Sequence, residues 1–382
     1  MIMKLRTKLL VTGIALTLLP ILLAAGITLY QNKETTKAAS EESEKLALTD
    51  LDHIAESVYN LCSVQQETIQ QGIDNSLNVA HHVMNQAGTV TFSDESVTWN
   101  SVNQYTKQDN AIQLPKMLVG NTWLGNNADI NVSSPVVDKV QELVGGTCTI
   151  FQRMNDAGDM LRVCTNVEKT DNTRAIGTYI PRTNPDGTPN PVISSLMRGQ
   201  TYRGRAYVVN KWYITAYEPI VDGKNNIVGA LYVGIPQENV ASLRNAIMDI
   251  QCGKTGYVFV LDSKGNYVIS KGGARDGESI WEAKDADGNL FIQNICEAAL
   301  NSNGEVVEER YPWKNADDTG SRMKIARIMY FEPWDWVIGA SAYEEEFYDS
   351  VERIKETSSA CMMVYAVVMS SVFGIACLAW WF

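Results

Sequence analysis

Between residues 160 and 220 the chain places arginine and tyrosine in an order that suits capture of a small acid. Arg203, Arg205 and Tyr207 alternate along one stretch, and in a strand alternate residues share a face. Tyr213, Thr215 and Tyr217 do the same in the next stretch. Arg162 stands among apolar neighbours, and Arg174 opens another apolar run. A guanidinium is a planar fork of donors that matches a carboxylate, while a tyrosine adds an apolar wall and one hydroxyl. A few convergent polar groups on an apolar wall are what a small-molecule site needs. The competing reading is that the arginines pair with surface carboxylates and the tyrosines are core.

A second group, Tyr257, Trp313, Lys314, Tyr330 and Trp334, offers aromatic faces and one cation. These residues could hold a small acid or form the core of their own domain. Catalytic sets are missing. The sequence has no phosphate loop ending in Lys-Ser or Lys-Thr, no His-Glu-x-x-His and no Gly-x-Ser-x-Gly. Asp285-Ala286-Asp287-Gly288-Asn289 has its glycine at the fourth position, where a calcium loop needs it at the sixth, so it reads as an exposed turn. His81 and His82 are adjacent on a helix and cannot share a face. No enzyme activity, metal or cofactor is expected. A net charge of −12 gives no basic stripe for nucleic acid.

Strands with clear turns must carry the first group. Thr147 to Arg153 and Met160 to Thr165 flank Asn155-Asp156-Ala157-Gly158, which reads as a hairpin. Tyr202 to Val209 and Trp212 to Tyr217 form a second, and Ile227 to Ile235 is a further apolar strand. The later half repeats the order with Tyr257 to Asp262, Asn266 to Ser270, Glu305 to Pro312, Met323 to Phe331 and Trp336 to Tyr343. Tyr217-Glu218-Pro219-Ile220 and Phe331-Glu332-Pro333-Trp334 close the two halves in the same way. Such internal similarity predicts two copies of one small α+β unit, with a helical link over Gln237 to Asp249. Cys148 and Cys164 could face each other as a disulfide across the first hairpin, or remain free.

Before these units the chain reads as one helix from about Lys33 to Gln86. Its apolar stripe is Leu51, Ile54, Val58, Leu61, Ile69, Ile73, Leu77, Ala80 and Met84. At 1.5 Å per residue it is roughly 75–80 Å long, enough to pass one unit and reach another. Leu9 to Tyr30 and Ala360 to Phe382 carry no charge, and each exceeds the ~20 apolar residues that span a bilayer. Lys4, Arg6 and Lys8 keep the N-terminus inside. Leu23-Ala24-Ala25-Gly26 would suit a signal peptidase, but the apolar run is long for a signal peptide, so an uncleaved anchor is expected. The Trp380-Trp381-Phe382 cluster suits a membrane interface.

Several local sequences resemble the double Cache sensor region of bacterial methyl-accepting chemotaxis proteins. Gly145 to Phe151, Arg174 to Tyr179 and Tyr202 to Ala206 with Tyr213 to Pro219 are similar to its membrane-distal unit. Gly253 to Phe259 and Trp334 to Gly339 are similar to its membrane-proximal unit. The resemblance implies an α+β fold: a long N-terminal helix with two PAS-like antiparallel-sheet units in tandem, flanked by two transmembrane helices. The expected segments are a cytoplasmic N-terminus (1–8), a membrane helix (9–30), a stalk helix (31–87), a distal unit (88–236), a proximal unit with its linking helix (237–346), a juxtamembrane helix (347–359) and a second membrane helix (360–382).

The resemblance also implies a two-pass protein of the bacterial inner membrane whose periplasmic units bind a small ligand, more often in the distal unit. It implies signalling by helix movement and a parallel homodimer along the long helix. The sequence to Phe382 holds no heptad array, kinase motif or cyclase motif. Cytoplasmic partners are therefore expected to engage through a region outside this chain. The alternatives are a sensor for a histidine kinase or nucleotide cyclase, and an anchored adaptor for a protein partner.

Overall fold

In the computed structural model, residues 5–237, 241–285, 287–315 and 318–381 are described. A single helix, α1 (Leu5–Ala87), covers both the segment expected to span a membrane and the expected stalk. Pro20 lies within it and cannot donate to the carbonyl one turn back. The buried stripe of α1 is Leu51, Ala55, Val58 and Cys62, then Ile73, Leu77, Ala80 and Met84. Two positions correct the expected stripe: Ala55 and Cys62 are buried, whereas Ile54 is half-buried and Leu61 is exposed. Gly88 ends the helix at φ 126°, and a Cβ there would lie 2.5 Å from the Cα of Gly120.

The chain divides into two compact units. One comprises residues 60–245 and 332–334. Its nine-stranded sheet runs β3-β2-β1-β6-β5-β4-β9-β8-β7. The strands are β1 (Val90–Asn103), β2 (Asp109–Val119), β3 (Thr122–Trp123), β4 (Thr147–Arg153), β5 (Met160–Thr165), β6 (Thr178–Ile180), β7 (Tyr202–Val208), β8 (Lys211–Val221) and β9 (Ile227–Pro236). Pairing is antiparallel except for β1 with β6, which is parallel, a departure from the all-antiparallel expectation. Helices α2 (Val137–Val144) and α3 (Pro191–Leu196) complete the unit. Asn190 caps α3, accepting from the N–H groups of Val192 and Ile193. Val192, Ile193 and Leu196 pack on Phe151, Tyr213, Tyr217 and Tyr232, each apolar side chain contributing ~1.5–3 kcal/mol by its burial.

The other unit contains the rest of the described chain. Its sheet runs β10-β11-β15-β14-β13, with β12 paired to β11. The strands are β10 (Gln251–Cys252), β11 (Gly256–Leu261), β12 (Tyr267–Ile269), β13 (Val307–Trp313), β14 (Arg322–Phe331) and β15 (Trp336–Tyr343). A short helix, α4 (Ala241–Met248), precedes them, and α5 (Phe291–Asn301) covers the sheet with Phe291, Ile292, Ile295, Cys296 and Ala299. The order β11-β15-β14-β13 repeats β4-β9-β8-β7 strand for strand.

The last helix, α6 (Asp349–Trp381), touches α1. Asn32 donates to the Ser358 hydroxyl at 2.7 Å, and the hydroxyls of Thr28 and Tyr365 lie 3.4 Å apart. Glu44 of α1 accepts from Arg310 at 2.7 Å and from the Tyr348 hydroxyl at 3.2 Å. Among the described residues, α1 is the one helix long and apolar enough to cross a membrane. Lys4, the side chains of Arg6, Trp380 and Trp381, and Phe382 lie outside the described residues.

Cys148 and Cys164 are both free and buried. The register explains why they do not face each other: Ile150 stands opposite Cys164, while the Cys148 N–H binds the Asn166 side chain at 2.7 Å. Burial pushes the thiols up, Cys252 to about 11 and Cys62, Cys164 and Cys296 to about 12.

Gly229 of β9 sits where a Cβ would lie 2.1 Å from the Phe151 carbonyl oxygen. Gly229→Ala is expected to cost ~1–3 kcal/mol through backbone displacement, read as a lower thermal midpoint; an unchanged midpoint would contradict the β4–β9 register.

Candidate functional site

The β4–β5 hairpin sets Arg162 opposite Phe151. It is fully buried, and its guanidinium carbon lies 4.8 Å from the Phe151 ring centre. Nη1 donates to the Thr178 hydroxyl, while Nε and Nη2 have no partner. Tyr217, on β8, is also fully buried, and its hydroxyl too is unpaired. Its ring lies 4.8 Å from Tyr232, 6.0 Å from Phe151 and 6.1 Å from Tyr202. Tyr232 shares a 3.0 Å hydroxyl contact with Thr147. Burial lowers the Arg162 pKa, partly offset by Tyr217, Tyr232 and Tyr213. Burial also pushes the Tyr217 phenol well up, so it stays a neutral donor. The free edge of Arg162 presents two donors side by side, the geometry a carboxylate accepts in bidentate fashion.

The other arginines do not join this group. The register pairs Arg203 with Ala216 and Arg205 with Ile214, placing both on the sheet face opposite Tyr213, Thr215 and Tyr217. Arg203 ion-pairs with Asp74 of α1 at 2.8 Å. Arg205 lies 3.9 Å over the Trp212 ring and donates to Gln237 at 2.9 Å. Tyr207 stacks on Tyr105 at 5.8 Å, and Tyr213 lies in the core beside Tyr217. Arg174 has no donor left for a ligand. Nη1 and Nη2 grip Asp138 at 2.8 and 2.9 Å, and its remaining N–H groups go to the carbonyls of Asp129, Ile130, Val132 and Thr165.

The second group is also redistributed. Tyr257 and Trp313 line one cavity of the six-stranded unit. Lys314 is exposed outside it, and the buried cation there is Lys324. The sequence signal for Lys324 was a lysine inside the apolar run Met323 to Phe331. Tyr330 binds Asp335 at 3.1 Å. Trp334 belongs to the nine-stranded unit, where Gln66 accepts from its indole and its carbonyl accepts from Gln237. His81 meets Glu218 at 3.1 Å. Asp285 accepts from the N–H groups of Asp287 and Asn289, closing its turn on itself. No group of three or more potential metal ligands occurs among the described residues.

The family model for the Cache 3/Cache 2 fusion domain matches residues 36–357. The chain belongs to this family. Cache domains are ligand-binding sensor modules. No curated protein sequence matches the chain. Solved structures resemble it at low identity. The ligand-binding domain of Campylobacter jejuni chemoreceptor Tlp3 in complex with L-valine is 12% identical, covering 81% of this chain and 98% of that one at a TM-score of 0.42. A methyl-accepting chemotaxis protein from Vibrio parahaemolyticus is 21% identical, covering 30% of this chain and 73% of that one at a TM-score of 0.26. A Cache chemosensory domain solved for carboxylic acid recognition is 19% identical, covering 28% of this chain and 72% of that one at a TM-score of 0.26.

The contrast between the two buried arginines in this Cache sensor can be measured. Arg174→Met strands Asp138 and is expected to cost ~3–5 kcal/mol. Arg162→Met removes a cation whose one acceptor is the Thr178 hydroxyl and is expected to change stability by less than ~1 kcal/mol, or to raise it. Thermal unfolding of the two variants checks the difference, and equal losses would contradict it.

Proposed function

We propose that the chain is the extracytoplasmic sensor of a transmembrane chemoreceptor, and that its nine-stranded, membrane-distal unit binds a small carboxylate at Arg162. The observation that carries this reading is the Nε/Nη2 edge of Arg162, fully buried and unpaired beside the unpaired Tyr217 hydroxyl. A buried guanidinium with one neutral acceptor and no counter-charge is unfavourable on its own. A ligand carboxylate supplies acceptors to both nitrogens, and Tyr217 adds a third donor. Each such charge-assisted bond is worth ~1.5–3 kcal/mol. Phe151, Tyr202 and Tyr232 offer apolar walls for the ligand body. Arg203, Arg205, Tyr207 and Arg174 are engaged elsewhere and are left out of the site.

The reading includes two membrane helices, at the start of α1 and in α6, in a bacterial inner membrane. The exposed apolar residues Leu16, Leu19, Leu23 and Ile27 of α1 and Met363, Val364, Val367 and Ile375 of α6 support it. Signalling would work by a shift of α6 against α1. Glu44 favours that route, because it joins α1 both to β13 through Arg310 and to the segment leading into α6 through Tyr348. Ligand moves the balance only by binding one arrangement more tightly than the other.

The test uses the full chain in lipid nanodiscs and a panel of monocarboxylates, amino acids and amines. A carboxylate is expected to raise the melting temperature at about millimolar concentration. Arg162→Met should abolish that rise, whereas Arg203→Met should leave it. A panel without any response would overturn the sensor reading. A response undiminished in Arg162→Met would overturn the site.

A further inference from the structure

An open groove of about 350 Å³ runs between α1 and α6, within the ~300–1,000 Å³ range of small-molecule sites. Thr28 and Asn32 of α1, one turn apart, form one wall. Arg353, Thr357 and Cys361 of α6, on successive turns, form the other. Ser358 joins the walls by accepting from Asn32 at 2.7 Å.

The groove sits at a change of composition. The uncharged run of α1 ends at Tyr30, and that of α6 begins at Ala360. Arg353 precedes Ala360 by about 10 Å of helix. A bilayer is about 30 Å thick in its hydrocarbon core and about 40–45 Å with its headgroups. With the apolar runs in the core, the groove therefore crosses the headgroup layer. Exposed Leu29, Tyr30, Met363 and Val364 lie on the core side of it.

Arg353 is the one charged residue in the lining. Its side chain is exposed, and among the described residues its guanidinium has no hydrogen bond and no ion pair. No acid lines the groove: Glu352 pairs with Lys355 at 2.6 Å, and Glu356 is exposed outside it. The Thr357 hydroxyl donates to the Arg353 carbonyl, and the Thr28 hydroxyl to that of Ala24, each at 2.9 Å. The donors left are the guanidinium, the Ser358 hydroxyl and the second amide proton of Asn32. All three suit an anion with several oxygens.

Resting on the reading of α1 and α6 as membrane helices, we propose that the groove holds one phospholipid of the extracytoplasmic leaflet. Its phosphodiester meets Arg353, Ser358 and Asn32, and its chains follow the exposed apolar residues of the two helices. The guanidinium fork matches phosphate oxygens. Because the lipid touches both helices, it favours the arrangement of α6 against α1 that holds it more tightly. The composition of the membrane thereby enters the balance on which signalling depends.

The test titrates dioleoylphosphatidylglycerol into the full chain in detergent micelles and counts bound lipid by native mass spectrometry. Arg353→Gln is expected to weaken binding about tenfold. Lys355→Gln, at the paired lysine on the same helix, should leave it unchanged. Dioleoylglycerol, with the same chains and no phosphate, should bind about tenfold more weakly or worse, and so should inorganic phosphate. Undiminished binding in Arg353→Gln would overturn the proposal. Dioleoylglycerol as tight as the phospholipid would reduce the groove to a chain contact, and inorganic phosphate as tight would make it a site for a free anion; either overturns the lipid site. Protease added to spheroplasts tests the membrane reading separately, through a tag after Phe382. Digestion of the tag would overturn the crossing of α6 and the lipid site with it. A protected tag together with lipid binding that ignores Arg353 would overturn the site alone.

Discussion

A positive charge can be kept inside a protein only if something replaces the water it has lost. Arg174 shows the complete replacement, with a carboxylate and four carbonyls around one guanidinium. Arg162 and Lys324 show the incomplete one, with ring faces and almost no acceptors. Much of the surrounding composition follows from that. Each sheet brings several aromatic side chains to a single cation.

The two sheets solve the problem with the same topology. In each, a hairpin leads, a helix crosses one face, and the last strand inserts between the first and the one before it. The covering helix is the variable part. The short α3 starts from an Asn190 cap and a proline, whereas α5 is longer and lays Phe291, Ile292, Ile295, Cys296 and Ala299 along one stripe. The insertion of β9 and β15 also explains why both strands are buried along most of their length and read as continuous apolar runs.

That burial decides how much could be read from the sequence. Strands bounded by turn chemistry, such as β4 and β5 around Asn155 to Gly158, stood out by pattern. So did the helical spacing of α1. The long β1–β2 hairpin did not, because β1 is mostly exposed, slips register between Phe92 and Ser96, and carries no clean alternation. The residues of the sites were harder. Composition suggested arginine with tyrosine, but only the register separates Arg162, with Tyr217 beside it, from Arg203 and Arg205 across the sheet. The same holds for Lys324 against Lys314: both are lysines near aromatic residues, and only pairing in three dimensions turns one inward. A charge count cannot distinguish a satisfied guanidinium from an unsatisfied one, since that depends on carbonyls distant in the chain.

The turn Glu332–Trp334 has a practical consequence for dissecting the molecule. These residues lie between β14 and β15, yet they count with residues 60–245. A fragment cut after Asn245 therefore lacks Trp334, whose indole donates to Gln66 and whose carbonyl accepts from Gln237, and a fragment starting at Ala246 carries Trp334 without either glutamine. The α1 helix is divided between the units in the same way, at Tyr59. No single cleavage point yields two whole pieces. The repeat seen in the amino-acid order and the modules that would survive dissection are different partitions of one chain.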